Sequence, residues 1–331
     1  MGKKSCFTRN KKPMLEKLLE VECTIGNTPL RKLTNKNINL FTKLEYCNPT
    51  GSLKDRSAIQ IIKDAIINKD IDQDSEVIES SSGNLALALS NICSKLGLKF
   101  SAVIDTNVNQ TNERLLQLYR TDIYKVTHRD QSGGFLLNRL EKVKQICATK
   151  KNIFWTNQYA NKSNYLGYKT LAGEIANVLP SLDFLFVAVS SGGSIAGLSK
   201  FLKKTYPNLK VIAVDIEGSM IFQDIATPRH ISGLGSSFRS PLIDEADIQQ
   251  VVHLSHLDIF KGCLQLFENE GIFAGASSGA TYYAIQKFFQ ENRSTSQPNV
   301  LFCCADYGYS YQDTVYNAIW RESIFVHHNL S

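Results

Sequence analysis

The sequence lacks any long apolar run. The longest stretches hold about six residues, Phe184 to Val189 among them, against the roughly 20 that a bilayer-spanning helix needs. No membrane partner is therefore expected. Paired cysteines at metal-binding spacing are also missing. The cysteines, at 6, 23, 47, 93, 147, 263, 303 and 304, include no Cys-x-x-Cys, which argues against a zinc site or any other metal. They read as small buried hydrophobes in a reducing, cytoplasmic setting, with Cys303 and Cys304 on opposite faces of one strand. There is little excess of one charge sign: the net charge is +6 over 331 residues. That mild bias suits an anionic small molecule and does not call for nucleic acid. Low-complexity linkers and internal repeats are absent. The basic N-terminus has no apolar segment, so no secretory signal is expected. Cys6 stands where N-myristoylation wants Ser or Thr.

What is present is ordinary globular material, 43% hydrophobic and 21% charged. At roughly 150 residues per domain, the length suggests two domains. Short β-rich runs cover Leu40–Tyr46, Glu76–Glu79, Phe100–Asp105, Ile123–Val126, Asp183–Val189, Val211–Ile216 and Val300–Cys304. Between them Ile59, Ile62 and Ile66 repeat at helical spacing, as do Leu136, Leu140 and Val143. This alternation predicts an α/β fold of mostly parallel sheets flanked by helices. Residues 217–248 lack periodicity and carry Gly218, Pro228, Gly233, Gly235 and Pro241, so a functional loop is expected there. The polar and aromatic stretch 152–164 reads as a domain junction.

Four motifs could carry chemistry. Asn48-Pro49-Thr50-Gly51-Ser52-Leu53-Lys54-Asp55-Arg56 is a turn that opens a helix. The helix dipole disfavours a cation at such a start, and a neutral amine is what Schiff-base chemistry uses. The plain alternative is a surface lysine paired with Asp55. Glu79-Ser80-Ser81-Ser82-Gly83-Asn84 follows a strand and precedes an apolar helix. Its hydroxyls and free N–H groups form a cradle for a carboxylate, or an ordinary N-cap. Ser190-Ser191-Gly192-Gly193-Ser194 repeats that arrangement after Asp183–Val189 and suits a phosphate. Gly275-Ala276-Ser277-Ser278-Gly279 fits the loose GxSxG pattern. Asp306 or Asp313, then His327 or His328, follow in hydrolase order, so a serine hydrolase stays open on pattern alone.

Taken in order, these motifs resemble the fold-type II pyridoxal 5′-phosphate enzymes (tryptophan synthase β-like), and within them the cysteine synthase family. The resemblance runs from Thr24-Ile25-Gly26-Asn27-Thr28-Pro29-Leu30 to Asp306. It implies that Lys54 holds the cofactor covalently and acts as the catalytic base. It implies that Asn84 meets the ring's 3′-oxygen, Ser277 its nitrogen, and Ser190, Ser191, Gly192, Gly193 and Ser194 its phosphate. Ser81, Ser82, Gly83 and Asn84, with Gln158, would bind the substrate carboxylate. A serine at the ring nitrogen makes a weaker electron sink than an aspartate would, which suits β-elimination and replacement better than transamination.

Leu85, Ser190 and Tyr159 depart from the cysteine synthase pattern. Together with Lys43-Leu44-Glu45-Tyr46 and Glu270-Gly271-Ile272-Phe273-Ala274-Gly275 they are similar to the branch that starts 2,3-diaminopropionate synthesis for siderophores. That likeness implies O-phospho-L-serine as donor and the amino group of L-glutamate as nucleophile. Ser190, Tyr159 and Arg139 would be added contacts for the leaving phosphate. The resemblance further implies a homodimer, a large unit of residues 12–45 plus 155–331, a smaller mobile unit 46–154, and a basic arm 1–11. Cysteine synthase, a cystathionine-forming enzyme and a non-catalytic cofactor-binding scaffold remain the alternatives. Ala305-Asp306-Tyr307-Gly308 departs from the family's usual sequence at this point and leaves nucleophile choice open.

Overall fold

The computed structural model describes residues 12–131, 133–292 and 297–328. The arm expected over 1–11 lies outside them. Helix α1 (Met14–Glu22) precedes strands β1 (Leu30–Lys32) and β2 (Asn39–Leu44). There follow α2 (Lys54–Ile67), β3 (Glu76–Glu79), α3 (Asn84–Leu96), β4 (Lys99–Asp105), α4 (Gln110–Leu118), β5 (Asp122–Val126), α5 (Leu136–Thr149) and β6 (Ile153–Trp155). The chain continues through α6 (Ser163–Leu166), α7 (Lys169–Ala176), β7 (Phe184–Ala188), α8 (Gly193–Leu202), β8 (Lys210–Ile216), β9 (Gln250–Leu254), α9 (His256–Glu270), α10 (Ala276–Glu291), β10 (Asn299–Cys304) and α11 (Ala318–His328).

The strands form two sheets. Four parallel strands in the order β5-β4-β3-β6 make the smaller one. The larger has the order β1-β2-β10-β7-β8-β9, parallel except for the edge strand β1. Alternation along the strands builds a core on each face of the larger sheet. Phe186, Ile212, Val214 and Phe302 pack with Phe260 and Ile285 of α9 and α10. Leu185, Val187, Val211 and Leu301 pack with Leu171, Ile175 and Leu198 of α7 and α8. Cys304 belongs to the first cluster and Cys303 to the second, as the alternation predicts. In the smaller sheet, Val77, Phe100 and Ala102 face α2 and α3, while Ile78 and Val103 face Val143 and Ile146 of α5.

Several expectations need correction. Three strands escaped the pattern: β1, β6 and β9. Two of these are only three residues long, too short to show a period, and β6 falls in the stretch read as a junction. The strand expected to reach Tyr46 stops at Leu44 and turns into a short 3₁₀ segment, Glu45–Cys47. Helix α1 does not pack with the larger unit's core. Its Leu18 sits among Ile59, Ile62, Ala88 and Ile92 of the smaller layer. Cys23 and Cys47 are exposed free thiols, not buried hydrophobes. Asp55 takes its bonds from Thr50 (Oγ1 to Oδ2 2.6 Å, N to Oδ1 3.3 Å), not from Lys54. Burial pushes that carboxyl up to about 6.

A buried ionic network joins the layers. Arg56, on the first turn of α2, is 1% exposed. Its guanidinium donates to both oxygens of Glu45 (2.6 and 3.0 Å) and both of Glu174 on α7 (2.8 and 2.9 Å). Lys43 of β2 donates to Glu174 at 2.6 Å. Thr28 and Asn48 complete the Glu45 carboxylate. Two cations thus meet two carboxylates, which is the condition under which buried charges are tolerated. Burial alone would raise the Glu174 carboxyl. Arg56 and Lys43 override it and hold the group at about 2, against an ordinary 4.5.

A depressed carboxyl contributes stability above its unfolded value and loses it as pH falls through the folded one. Glu174→Gln should therefore destabilise the fold at pH 7 by roughly 2–3 kcal/mol, less than the about 3–5 of a fully buried broken pair because Glu174 partly meets water. The unfolding free energies of variant and wild type should converge between pH 4.5 and 2. Urea midpoints across that range measure both effects.

Candidate active site

The two sheets present the carboxyl ends of their strands to a shared cleft, where open α/β sheets place ligands. It holds about 700 Å³, counting space open to solvent, within the range of small-molecule sites. Its walls include Lys54, Asn84, Ser190, Ser191, Gly192, Ser194 and Ser277. Seven of the residues singled out in the sequence thus meet in one place. The eighth, Gly193, stands directly behind the wall. A Cβ there would lie 2.2 Å from Asn164 Oδ1, so only glycine lets α8 begin at that point.

Each residue is placed by a strand end. Lys54 opens α2, and the preceding Leu53 N–H donates to Ala305 O at 2.7 Å, just beyond β10. Ser52 bridges Asp306 in the same crossing. Ser190 follows β7, and its hydroxyl donates to Gly235 O at 3.0 Å. Gly192 caps α8 with φ +89°, a left-handed conformation that suits glycine. That turn aims the free N–H groups of a ten-residue helix into the cleft. Ser277 lies on the first turn of α10, after Gly275.

The second group of sequence candidates lies around the β3–α3 turn. Ser81 Oγ accepts from Gly83 N (3.4 Å) and Ala86 N (3.3 Å), so it caps α3. Nothing lies within 4 Å of where a Gly83 side chain would begin, which leaves that turn open. Arg139 of α5 donates to Ser82 Oγ at 3.1 Å and pairs with Asp105 at 3.2 Å. Gln158 donates its amide to Ser80 O (3.1 Å) and Glu79 Oε1 (3.4 Å), and so braces the turn from behind. Tyr159 is 9% exposed and packs on Phe238, ring centroids 5.0 Å apart. Burial pushes its phenol up to about 12.

The wall also includes Gly233 and Asp306. Gly233 belongs to the loop 217–248, which accordingly reaches the cleft. Asp306 is 4% exposed, and its Oδ2 accepts from Asn84 Nδ2 (2.7 Å) and Tyr311 OH (2.8 Å). Its Oδ1 has no hydrogen-bond partner. Burial raises this carboxyl against those two bonds and the nearby charge of Lys54. The sequence offered Asp306 as the end of the resemblance and as a hydrolase acid; the long-range pairing of β10 brings it to Asn84 instead. For the hydrolase pattern, the side chains of His327 and His328 lie outside the described residues.

The donor set fits pyridoxal phosphate: an amine for an aldehyde, a helix N-terminus with hydroxyls for a phosphate, and a hydroxyl on the opposite wall for a ring nitrogen. The family model described as "Pyridoxal-phosphate dependent enzyme" matches residues 21–306. The chain belongs to that family. Among relatives of this member, the N-(2-amino-2-carboxyethyl)-L-glutamate synthase of Ralstonia nicotianae is 39% identical over 92% of this chain and 91% of its own. The enzyme of the same name from Cupriavidus metallidurans is 38% identical over 91% and 90%. Among solved structures, the O-acetylserine-dependent cystathionine β-synthase of Helicobacter pylori has a TM-score of 0.82 at 26% identity, covering 93% of this chain and 99% of its own. A hydrogen sulfide-producing enzyme of Fusobacterium nucleatum has 0.81 at 29%, covering 88% and 98%. The fold is fold-type II, and the protein is a pyridoxal-phosphate-dependent enzyme of β-replacement. No helix among the described residues is long and apolar enough to cross a membrane.

Gly193→Ala should lower affinity for pyridoxal phosphate by about tenfold or more, because the α8 turn must shift away from Asn164. Titration of the stripped protein with the cofactor, followed by absorbance, tests this. Unchanged affinity would remove the α8 turn from the phosphate seat.

Proposed function

We propose that the protein transfers the 2-amino-2-carboxyethyl group of O-phospho-L-serine to the amino group of L-glutamate. The products are N-(2-amino-2-carboxyethyl)-L-glutamate and phosphate, a first step towards 2,3-diaminopropionate for a siderophore or related metabolite. The observation that carries this reading is the 38–39% identity to synthases of that name over nine-tenths of both chains. Arg139 with Ser82, Tyr159 and, on the cleft wall, Ser190 would supply polar contacts for a phosphate leaving group, which wants more donors than acetate does.

In this reading the cofactor, once bound, supplies an electron sink for charge developing at the amino acid's Cα. The chain does the rest. Lys54 Nζ holds the cofactor until substrate replaces it, then takes the proton from Cα as general base and returns a proton to the product. Asn84 orients the ring, with its amide fixed by Asp306. Ser277 meets the ring nitrogen without protonating it. Ser190, Ser191, Gly192, Gly193 and Ser194 seat the phosphate on α8. The turn Ser81–Asn84, braced by Gln158, takes the α-carboxylate through backbone N–H groups. The smaller unit, residues 46–154 with α1 packed on them, closes over substrate against the larger sheet, excluding water from the reactive centre. The enzyme works as a cytoplasmic homodimer. The free thiols of Cys23 and Cys47 suit a reducing compartment.

A second reading, cysteine synthase or cystathionine formation from O-acetylserine, is favoured by the likeness to the Helicobacter pylori enzyme. One assay separates them: O-phosphoserine with glutamate against O-acetylserine with sulfide, the product identified by mass. A glutamate adduct with phosphate released is expected. Cysteine without any adduct would overturn the proposal. Lys54→Ala should cut turnover by at least about 10³-fold, the loss of both anchor and base. Undiminished turnover in that variant would sink the assignment of Lys54.

A further inference from the structure

We propose that Arg229 selects the nucleophile: it receives the second carboxylate of an acidic amino acid beside Tyr159. This rests on the reading that L-glutamate is the acceptor, and it names the residue that recognises its side chain.

Arg229 lies in the loop between β8 and β9. Its guanidinium donates to Ser237 Oγ at 3.2 Å. Its Nη1 is 2.6 Å from where a side chain on Gly235 would begin, so the glycine leaves it room. The same Gly235 carbonyl receives the hydroxyl of Ser190. The guanidinium is therefore one residue away from the α8 phosphate seat. The loop also holds Tyr159, through the Phe238 ring at 5.0 Å and through Ser240 Oγ, which donates to Tyr159 O at 2.6 Å.

Tyr159 feels two guanidiniums, Arg139 from the α5 side and Arg229 from this loop. They are not equivalent. Arg139 is neutralised by Asp105 at 3.2 Å and also bonded to Ser82. No carboxylate among the described residues lies within salt-bridge distance of Arg229; Asp215 and Asp130 act on it only through space. Its partly buried charge is balanced at a distance by the buried Asp215 without a direct ion pair, which leaves its fork of donors open to an incoming carboxylate. Guanidinium presents five N–H donors in a fork that matches a carboxylate, and Ser237 takes one of them.

The division of labour follows. The donor's α-carboxylate is assigned to the β3–α3 turn and its phosphate to the Arg139 side. The acceptor must then bring its amine to Cβ from the loop side, where Arg229 stands. Glutamate has a side-chain carboxylate to give that cation, beyond the α-carboxylate that both acceptors carry; glutamine offers a neutral amide there.

The test compares L-glutamate with L-glutamine as acceptor for holoenzyme and O-phosphoserine, in wild type, Arg229→Met and Arg229→Lys. KM and kcat are read separately, with product identified by mass. The wild type should favour glutamate, chiefly through KM. Arg229→Met should raise KM for glutamate about 10- to 100-fold, with a much smaller change for glutamine, and so erase the preference. Arg229→Lys should restore part of it. The ratio of the two acceptors is insensitive to any fraction of misfolded variant. A wild type that makes a glutamate adduct and keeps its preference in Arg229→Met overturns this inference alone. A wild type that uses sulfide and ignores glutamate overturns the acceptor reading and this inference together.

Discussion

Arg56 is the contact on which the rest depends. It stands two residues after Lys54, on the same helical turn, and makes four hydrogen bonds to two carboxylates from different parts of the chain and a fifth to Thr170 Oγ1. Glu45 directly follows β2 and Glu174 rides on α7. Lys43 balances the second carboxylate. Helix α2 otherwise packs into the smaller layer through Ala58, Ile59 and Ile62. The network is what ties its first turn to the larger sheet. The Lys54 amine is thus held at a seam, clamped by charge on one side and by oil on the other. Such a pairing is weak evidence for net stability but strong evidence for a unique geometry in this site, since any slip strands a buried charge.

The cleft is built from one repeated device. A parallel strand ends, the chain turns through hydroxyl residues and glycine, and a helix begins with its N–H groups free. It occurs after β3 and after β7, and each occurrence gives an anion seat. Opposite these seats stand Ser277 on α10 and Asp306 after β10. The arrangement puts positive potential at two ends and a buried, raised carboxyl against the Asn84 amide. Charge at the reacting carbon would be met by preorganised dipoles rather than by water.

Much of this was readable in the sequence, for a physical reason. The seats are local: strand, turn and helix lie within about a dozen residues, and turn chemistry is written in Gly, Ser and Asn. Lys54, Ser81 to Asn84 and Ser190 to Ser194 were therefore visible. Asp306 and Arg229 were not assigned as contacts, because their positions depend on which strands become neighbours. β10 pairs with β2 and β7 across more than a hundred residues, and no local pattern announces that. The same reasoning covers the strands. β4, β7 and β8 carry continuous apolar runs and stood out. β1 is an exposed edge of three residues, and β6 borders a polar stretch. The packing of α1 was misjudged for a related reason: an amphipathic helix declares which face is apolar, not which core will receive it.

Three glycines around α6 impose a limit of their own. Side chains at Gly167, Gly193 and Gly197 would begin 2.4, 2.2 and 2.4 Å from Arg56 O, Asn164 Oδ1 and Tyr165 O. Here α2, α6 and α8 touch almost backbone to backbone. A hub of that kind has no side chains to exchange, so the anchor of the cofactor is frozen against gradual evolutionary drift. Diversification towards other donors and acceptors is channelled instead to the opposite rim, where Arg139, Tyr159 and the glycine-bearing loop leave volume to vary.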